Sequence, residues 1–210
     1  MTYQSNFHSG NGVDIEALER TRADFERLPE TALFTFRSAC AWIEGTYSMN
    51  SLNGFFGLGR ENRRKQTFCV ESDHPEAFHG ADRALTAPEI VLAALASCLT
   101  AGVATAAQRR AVPLNAVHAK VEGDMDARGF LGMDGTIRRG FSDIRVWFEI
   151  DADACAEDIR ILVRQSQDRS AVFDILTRPT RVNVTVTSSI PEQMKGARHE
   201  CGSTDPASDL

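Results

Sequence analysis

The sequence has no CxxC pair, no internal repeat, no low-complexity tract and no apolar segment at its start, and each absence removes a class of protein. Five cysteines, Cys40, Cys69, Cys98, Cys155 and Cys201, make an odd number without paired spacing, so neither a disulfide framework nor a zinc ribbon is expected. That usage predicts a reducing, cytoplasmic setting. The first 30 residues lack both a basic stretch and an apolar stretch of the kind a secretory signal needs, so export is not predicted. Positive charge is in short supply, with 23 lysines and arginines against 29 acidic residues and a net charge of −6. This is the wrong sign for a phosphate-binding surface, and no nucleic-acid partner is expected. What is present is an ordinary globular composition, 42% apolar and 25% charged over 210 residues. A chain of this length buries roughly 70% of its unfolded surface, enough for one core without metal or disulfide support.

Residues 11–29 place Ile15, Leu18, Phe25 and Leu28 at near-helical spacing before Pro29, predicting an amphipathic helical arm over residues 1–30 that lies on its own core or on a partner subunit. The main domain is expected over 31–190, and an aperiodic, disordered tail over 191–210. In LFTFRSACAWIE, Phe34, Phe36, Cys40 and Trp42 alternate and predict a single strand. The glycine-rich, basic NGFFGLGRENRRKQ then predicts a long turn before a short strand over Gln66–Val70, followed by loop over 71–86.

From Ile90 to Ala107 the chain runs eighteen residues without a charge, close to the length that spans a membrane. Its alanines, with Ser97, Thr100, Gly102 and Thr105 interspersed, are only weakly hydrophobic, so the run predicts a fully buried central helix and no membrane span. Thr86 and Glu89 form a capping-box pattern around Pro88, and Gln108, Arg109 and Arg110 suit the far end. Period-two alternation predicts strands over 114–126, 140–151 and 181–187, the first two an antiparallel pair joined by a long loop, the last with Val182, Val184 and Val186 inward. A second amphipathic helix over 154–167 presents Cys155, Ile159, Leu162 and Val163, and a helical turn begins at Ser170. The order of elements predicts an α+β domain in which antiparallel sheet wraps the buried helix.

Cys98 sits near the middle of the apolar run. By composition a buried free cysteine is a small hydrophobe. The segments APEIVLAALASCLTAG and RSAVFDILTRPTRVNVTV resemble the superfamily of osmotically inducible protein C (OsmC) and organic hydroperoxide resistance protein (Ohr) over about Phe34 to Val186. VEGDMDARGFLGM and DHPEAFHG are similar to a subgroup distinct from the best-studied peroxidases.

The resemblance implies an intertwined homodimer with Cys98 of each chain near the interface. It also implies an activity in which Cys98 attacks the distal oxygen of a small apolar hydroperoxide to give a sulfenic acid and an alcohol. The family's second cysteine corresponds to Ser170, which cannot form a disulfide and suits a helix cap. The implied cycle therefore ends in reduction by an external thiol, unless Cys40, Cys69 or Cys155 comes within disulfide reach. A glutamate that orders a thiolate-binding arginine corresponds to Glu89, nine residues before Cys98 where the family spacing is one longer. The window GTYSMNSLNG holds no arginine, leaving Arg37, Arg60, Arg63 and Arg64 as substitutes. The alternative function is a degenerate member that binds a small apolar ligand without peroxide turnover. No cofactor is implied. Cys69, His74 and His79, spaced five and five, are the one set with a bearing on metal, and the set lacks a clear fourth ligand, so no metal site is expected. His118 reads as a solvated strand residue.

Overall fold

A computed structural model describes residues 10–187, and the expected tail over 191–210 lies outside them. The described residues form two compact units, one from 10–19 and Pro88–Val182, the other from Arg20–Ala87 and 183–187.

The first unit is built on the helix α2, Ala87–Arg109, which begins and ends where the sequence predicted. Its buried residues are Leu95, Leu99, Val103, Ala106 and Ala107, a single stripe at helical spacing. Strands β5 (Leu114–Asp124) and β6 (Asp143–Ala152) form an antiparallel pair, with Val117 opposite Ile150 and Ala119 opposite Phe148. The loop between them carries one short helix, α3, Ala127–Phe130. Helix α4, Ala156–Arg169, contributes Leu162, which has no exposed surface. Val103, Ala106, Ala107 and Leu162 make the core cluster, closed by Val112, Leu114, Val117, Phe148, Ile150 and Val163. Close packing of α2 on α4 depends on Gly102, because a Cβ there would overlap Ser166 Oγ and lie 2.9 Å from Ser166 Cβ. In that gap the buried Ser166 hydroxyl donates to Leu99 O at 2.6 Å. Asn11 ties the start of the described chain to this unit: its side chain donates to Val112 O at 2.7 Å and accepts from Leu114 N at 2.9 Å.

The expectation of a helix buried on all sides is not met in the single chain. Val91 is 37% exposed, and the buried positions cover one face only. By length and composition α2 could cross a membrane, yet its buried stripe is packed into a globular core with α4 and the β5–β6 pair.

Helix α1, Ile15–Arg27, has its residues up to Glu19 in the first unit and those from Arg20 in the second, and stops before Pro29, as expected. In the second unit a four-stranded antiparallel sheet holds β1 (Thr35–Phe36), β2 (Ala39–Glu44), β3 (Tyr47–Gly57) and β4 (Arg60–Ser72). The single strand predicted over 33–44 is broken in two. Both pieces pair with β3, Phe36 opposite Phe55 and Ala39 opposite Ser51, so the register slips by one residue across Arg37 and Ser38. On β2, Ala39, Ala41 and Ile43 are half-buried, while Cys40 and Trp42 are exposed.

The predicted long turn over 53–66 is a correction of a different kind. These residues complete a long hairpin whose loop is only Leu58 and Gly59, at φ 55° and 72°, the paired positive values of a type I′ connection. Asn53-Gly54, read as a turn, instead lies where the β3–β4 register shifts, and a Cβ at Gly54 would meet Asn62 O at 2.7 Å.

The predicted strand over 181–187 is also corrected. This segment forms no strand among the described residues, and Val182, Val184 and Val186 are 80%, 86% and 88% exposed. Alternation specifies a face for a strand but does not supply the neighbour it must pair with.

Candidate functional site

Cys98 lies in the middle of α2, half-buried and with a free thiol. Its position is fixed by its neighbour in sequence, Leu99, which is 1% exposed in the core. Ser170 follows directly on α4 and precedes α5, Ala171–Thr177, serving as C-cap of one and N-cap of the other. Its hydroxyl accepts from Phe173 N at 3.1 Å, the capping role read from sequence. The same hydroxyl donates to Cys98 Sγ at 3.0 Å, joining residues 72 positions apart. Ser170 is 5% exposed and Cys98 half-buried, so this contact is partly shielded from water.

Glu89 stands in the first turn of α2 and is exposed. The helix is unbroken between Glu89 and Cys98, and nine steps of about 100° put the two residues on opposite faces. The helix geometry therefore does not bring Glu89 to Cys98. Arg37 is engaged with Glu61 in a two-pronged ion pair at 2.8 and 3.0 Å, which raises the guanidinium and lowers the carboxyl from their ordinary pKa values. Arg64 lies over the rings of Phe55 and Phe68 at 5.7 and 5.5 Å. Arg60 and Arg63 are strand residues of β4. Of the cysteines proposed as resolving thiols, Cys40 and Cys155 are exposed and free, whereas Cys69 is disulfide-bonded, against the expectation of a chain without disulfides. Cys155 is at the N-cap of α4, 3.2 Å from Asp158 Oδ2.

No cluster of three or more histidine, cysteine, aspartate or glutamate side chains suited to a metal ion occurs among the described residues. Near His74 and His79 the sequence reading missed a different feature. Asp73, 1% exposed, accepts from Thr46 Oγ1 at 2.6 Å and from the backbone N–H groups of His74, Ala81 and Arg83 at 2.8, 3.3 and 3.3 Å. The Thr46 hydroxyl first, and then these amides, hold its carboxyl below the ordinary range against the opposing effect of burial. Arg83 pairs with Glu44 and covers the Tyr47 ring at 5.4 Å. These groups pin the irregular 73–83 loop, and a carboxylate beside the turn-forming His-Pro and His-Gly pairs was the available sequence signal.

The family model for OsmC-like proteins matches residues 80–185, just over half of the chain, including both Cys98 and Ser170. The chain belongs to the OsmC-like family. No curated protein matches it in sequence. Among solved structures, it is similar to an OsmC-like protein from Mycoplasma pneumoniae, with 16% identity and a TM-score of 0.53 over 73% of this chain and 96% of that one. It also matches an organic hydroperoxide resistance protein OsmC from Legionella pneumophila, with 13% identity and a TM-score of 0.44 over 67% of this chain and 89% of that one. The mixed α+β architecture with antiparallel sheets agrees with the OsmC-like fold.

Proposed function

We propose that this OsmC-like protein reduces organic hydroperoxides with Cys98 as its single peroxidatic cysteine and an external thiol as reductant. One observation carries the reading: the free, half-buried Cys98 is in contact with Ser170, the residue that the family resemblance aligns with the second redox cysteine. Family membership supports a redox or stress role, and the contact selects the thiol.

The chemistry balances without a cofactor. The Cys98 thiolate attacks the distal peroxide oxygen, the O–O bond breaks, an S–O bond forms, and a proton converts the departing alkoxide to an alcohol. Sulfur loses two electrons and the peroxide gains them. An external thiol then attacks the sulfenic acid and forms a mixed disulfide as water leaves, and a second equivalent releases Cys98 as the thiol.

The functional unit in this reading is a homodimer. Exposed apolar side chains such as Phe36 and Trp42, 70% and 64% exposed in the single chain, are suited to cover by a second copy.

A second reading, in which the fold binds a small apolar ligand without turnover, is favoured by the commitment of Arg37 to Glu61 and of Arg64 to two aromatic rings. Consumption of tert-butyl hydroperoxide with a dithiol as reductant separates the two. The wild-type protein is expected to turn over and Cys98→Ser to fall to the uncatalysed rate. Equal rates for the two proteins would leave ligand binding as the function.

A further inference from the structure

We infer that Ser170 is a positioning residue that sets the reactivity of Cys98, acting as a fixed hydroxyl donor to its sulfur and not as a lost cysteine that now only caps a helix. The inference deepens the proposed function and rests on it for the peroxide step alone. A serine hydroxyl has one proton and two lone pairs. Here one lone pair is occupied by Phe173 N–H at 3.1 Å, while Cys98 Sγ is 3.0 Å away on the donor side. The cap thus orients the hydroxyl so that its proton points at sulfur. Burial of Ser170 to 5% exposure limits competition from water for that proton. A donor of this kind binds a charged acceptor more strongly than a neutral one, so it steadies the sulfur during attack and the sulfenic oxygen as it forms.

The oxygen also changes the fate of the oxidised state. A thiol at this distance would attack the sulfenic sulfur, expel water and close a disulfide. The hydroxyl does not, so the sulfenic acid stays open to a thiol from outside.

The position of Ser170 is held from both sides. It follows α4, whose Ser166 is packed against Gly102 and bonded to Leu99 O, one residue from Cys98. The helix that carries the sulfur and the one that ends at the hydroxyl are therefore locked at the same contact.

Alkylation of Cys98 by iodoacetamide, followed by peptide mass spectrometry, tests this without any peroxide. Ser170→Ala is expected to slow alkylation at pH 7 about threefold, and Ser170→Thr to restore it, since a hydrogen bond to a charged acceptor is stronger than one to a neutral acceptor. Ser170→Asp separates the two roles, because it retains the cap acceptor for Phe173 N but places an acceptor in front of sulfur. The inference expects it to alkylate at least as slowly as Ser170→Ala, and near-wild-type alkylation would overturn the inference. Equal rates for Ser170→Ala and wild type would also overturn it.

Ser170→Cys, treated with one equivalent of tert-butyl hydroperoxide, is expected to lose 2 Da through an internal disulfide to Cys98. The wild type should instead yield a dimedone-trappable sulfenic acid. Failure of that disulfide in a protein whose Cys98 is oxidised would overturn the contact itself. If the alkylation series holds but no variant is oxidised, Ser170 keeps its role and the peroxidase reading falls.

Discussion

Gly102→Ala should destabilise the protein, although alanine is the better helix former by about 1 kcal/mol. The new Cβ would overlap Ser166 Oγ and stand 2.9 and 3.0 Å from Ser166 Cβ and Cα, on a residue that is 2% exposed and has nowhere to withdraw. Overpacking a close helix contact costs about 1–3 kcal/mol. Displacing Ser166 also breaks its buried bond to Leu99 O, worth about 1–3 kcal/mol once the carbonyl is left unmatched. Offsetting these with the gain in propensity leaves a net loss of about 1–5 kcal/mol. Urea unfolding followed by far-UV circular dichroism measures it as a lowered midpoint with an unchanged slope. Gly102→Ala combined with Ser166→Ala should lose less than the sum of the single variants, because both act on one contact. A Gly102→Ala variant as stable as wild type, or more so, would refute the close approach of α2 and α4. Since Ser170 directly follows α4, it would remove the packing that holds Ser170 against Cys98 as well.

Asn11→Ala removes two hydrogen bonds that join the start of the chain to Val112 and Leu114, and should lower stability by about 1–3 kcal/mol in thermal unfolding; no change would show that the clamp is idle. Asp73→Asn should lower the thermal midpoint at pH 7, because an amide in that site presents a donor to backbone N–H donors. The sign with pH is fixed by the depressed carboxyl: its contribution is present above the unfolded value of about 3.9 and is lost as pH falls through the lower folded value. The gap between wild type and variant should therefore close at acid pH. A gap that persists there would count against a carboxylate role.

Elements whose period is enforced by a core on one side were legible in the sequence. The alternation of β5 and β6 and the amphipathic α4 each bury one face, and their boundaries, like those of α2, fall within a few residues of the expected ones; the one-sided burial of α2 was not legible, since its eighteen uncharged residues show no polar face. Of this hairpin only the predicted strand over Gln66–Val70, which falls inside β4, was legible; β3 and the start of β4 were not, because few of their residues are fully buried, Arg60 to Gln66 carries five charges in seven residues, and asparagine and glycine at 53–54 mimic a turn. Ladder hydrogen bonds across β3 and β4 override those local preferences, and single-chain periodicity does not record them. The 181–187 segment shows the converse, a clean alternation that forms no strand among the described residues.

At the site, Cys98 and the Ser170 cap were legible from motif resemblance and capping chemistry, while their contact depends on the α2–α4 crossing at Gly102, which no spacing reveals. Glu89 shows the opposite limit, since a matching residue type at a helix start does not place its side chain on the face that carries the thiol.

The central claim, that Cys98 is the peroxide-reactive thiol, is tested most directly by intact-mass spectrometry of the reduced protein after brief exposure to tert-butyl hydroperoxide, beside Cys98→Ser and with dimedone present. The account predicts one dimedone adduct per chain, located on the Cys98 peptide, absent from Cys98→Ser and prevented by prior addition of dithiol. An unmodified Cys98 under conditions that oxidise a free thiol of similar exposure, or an adduct that survives in Cys98→Ser, would contradict it.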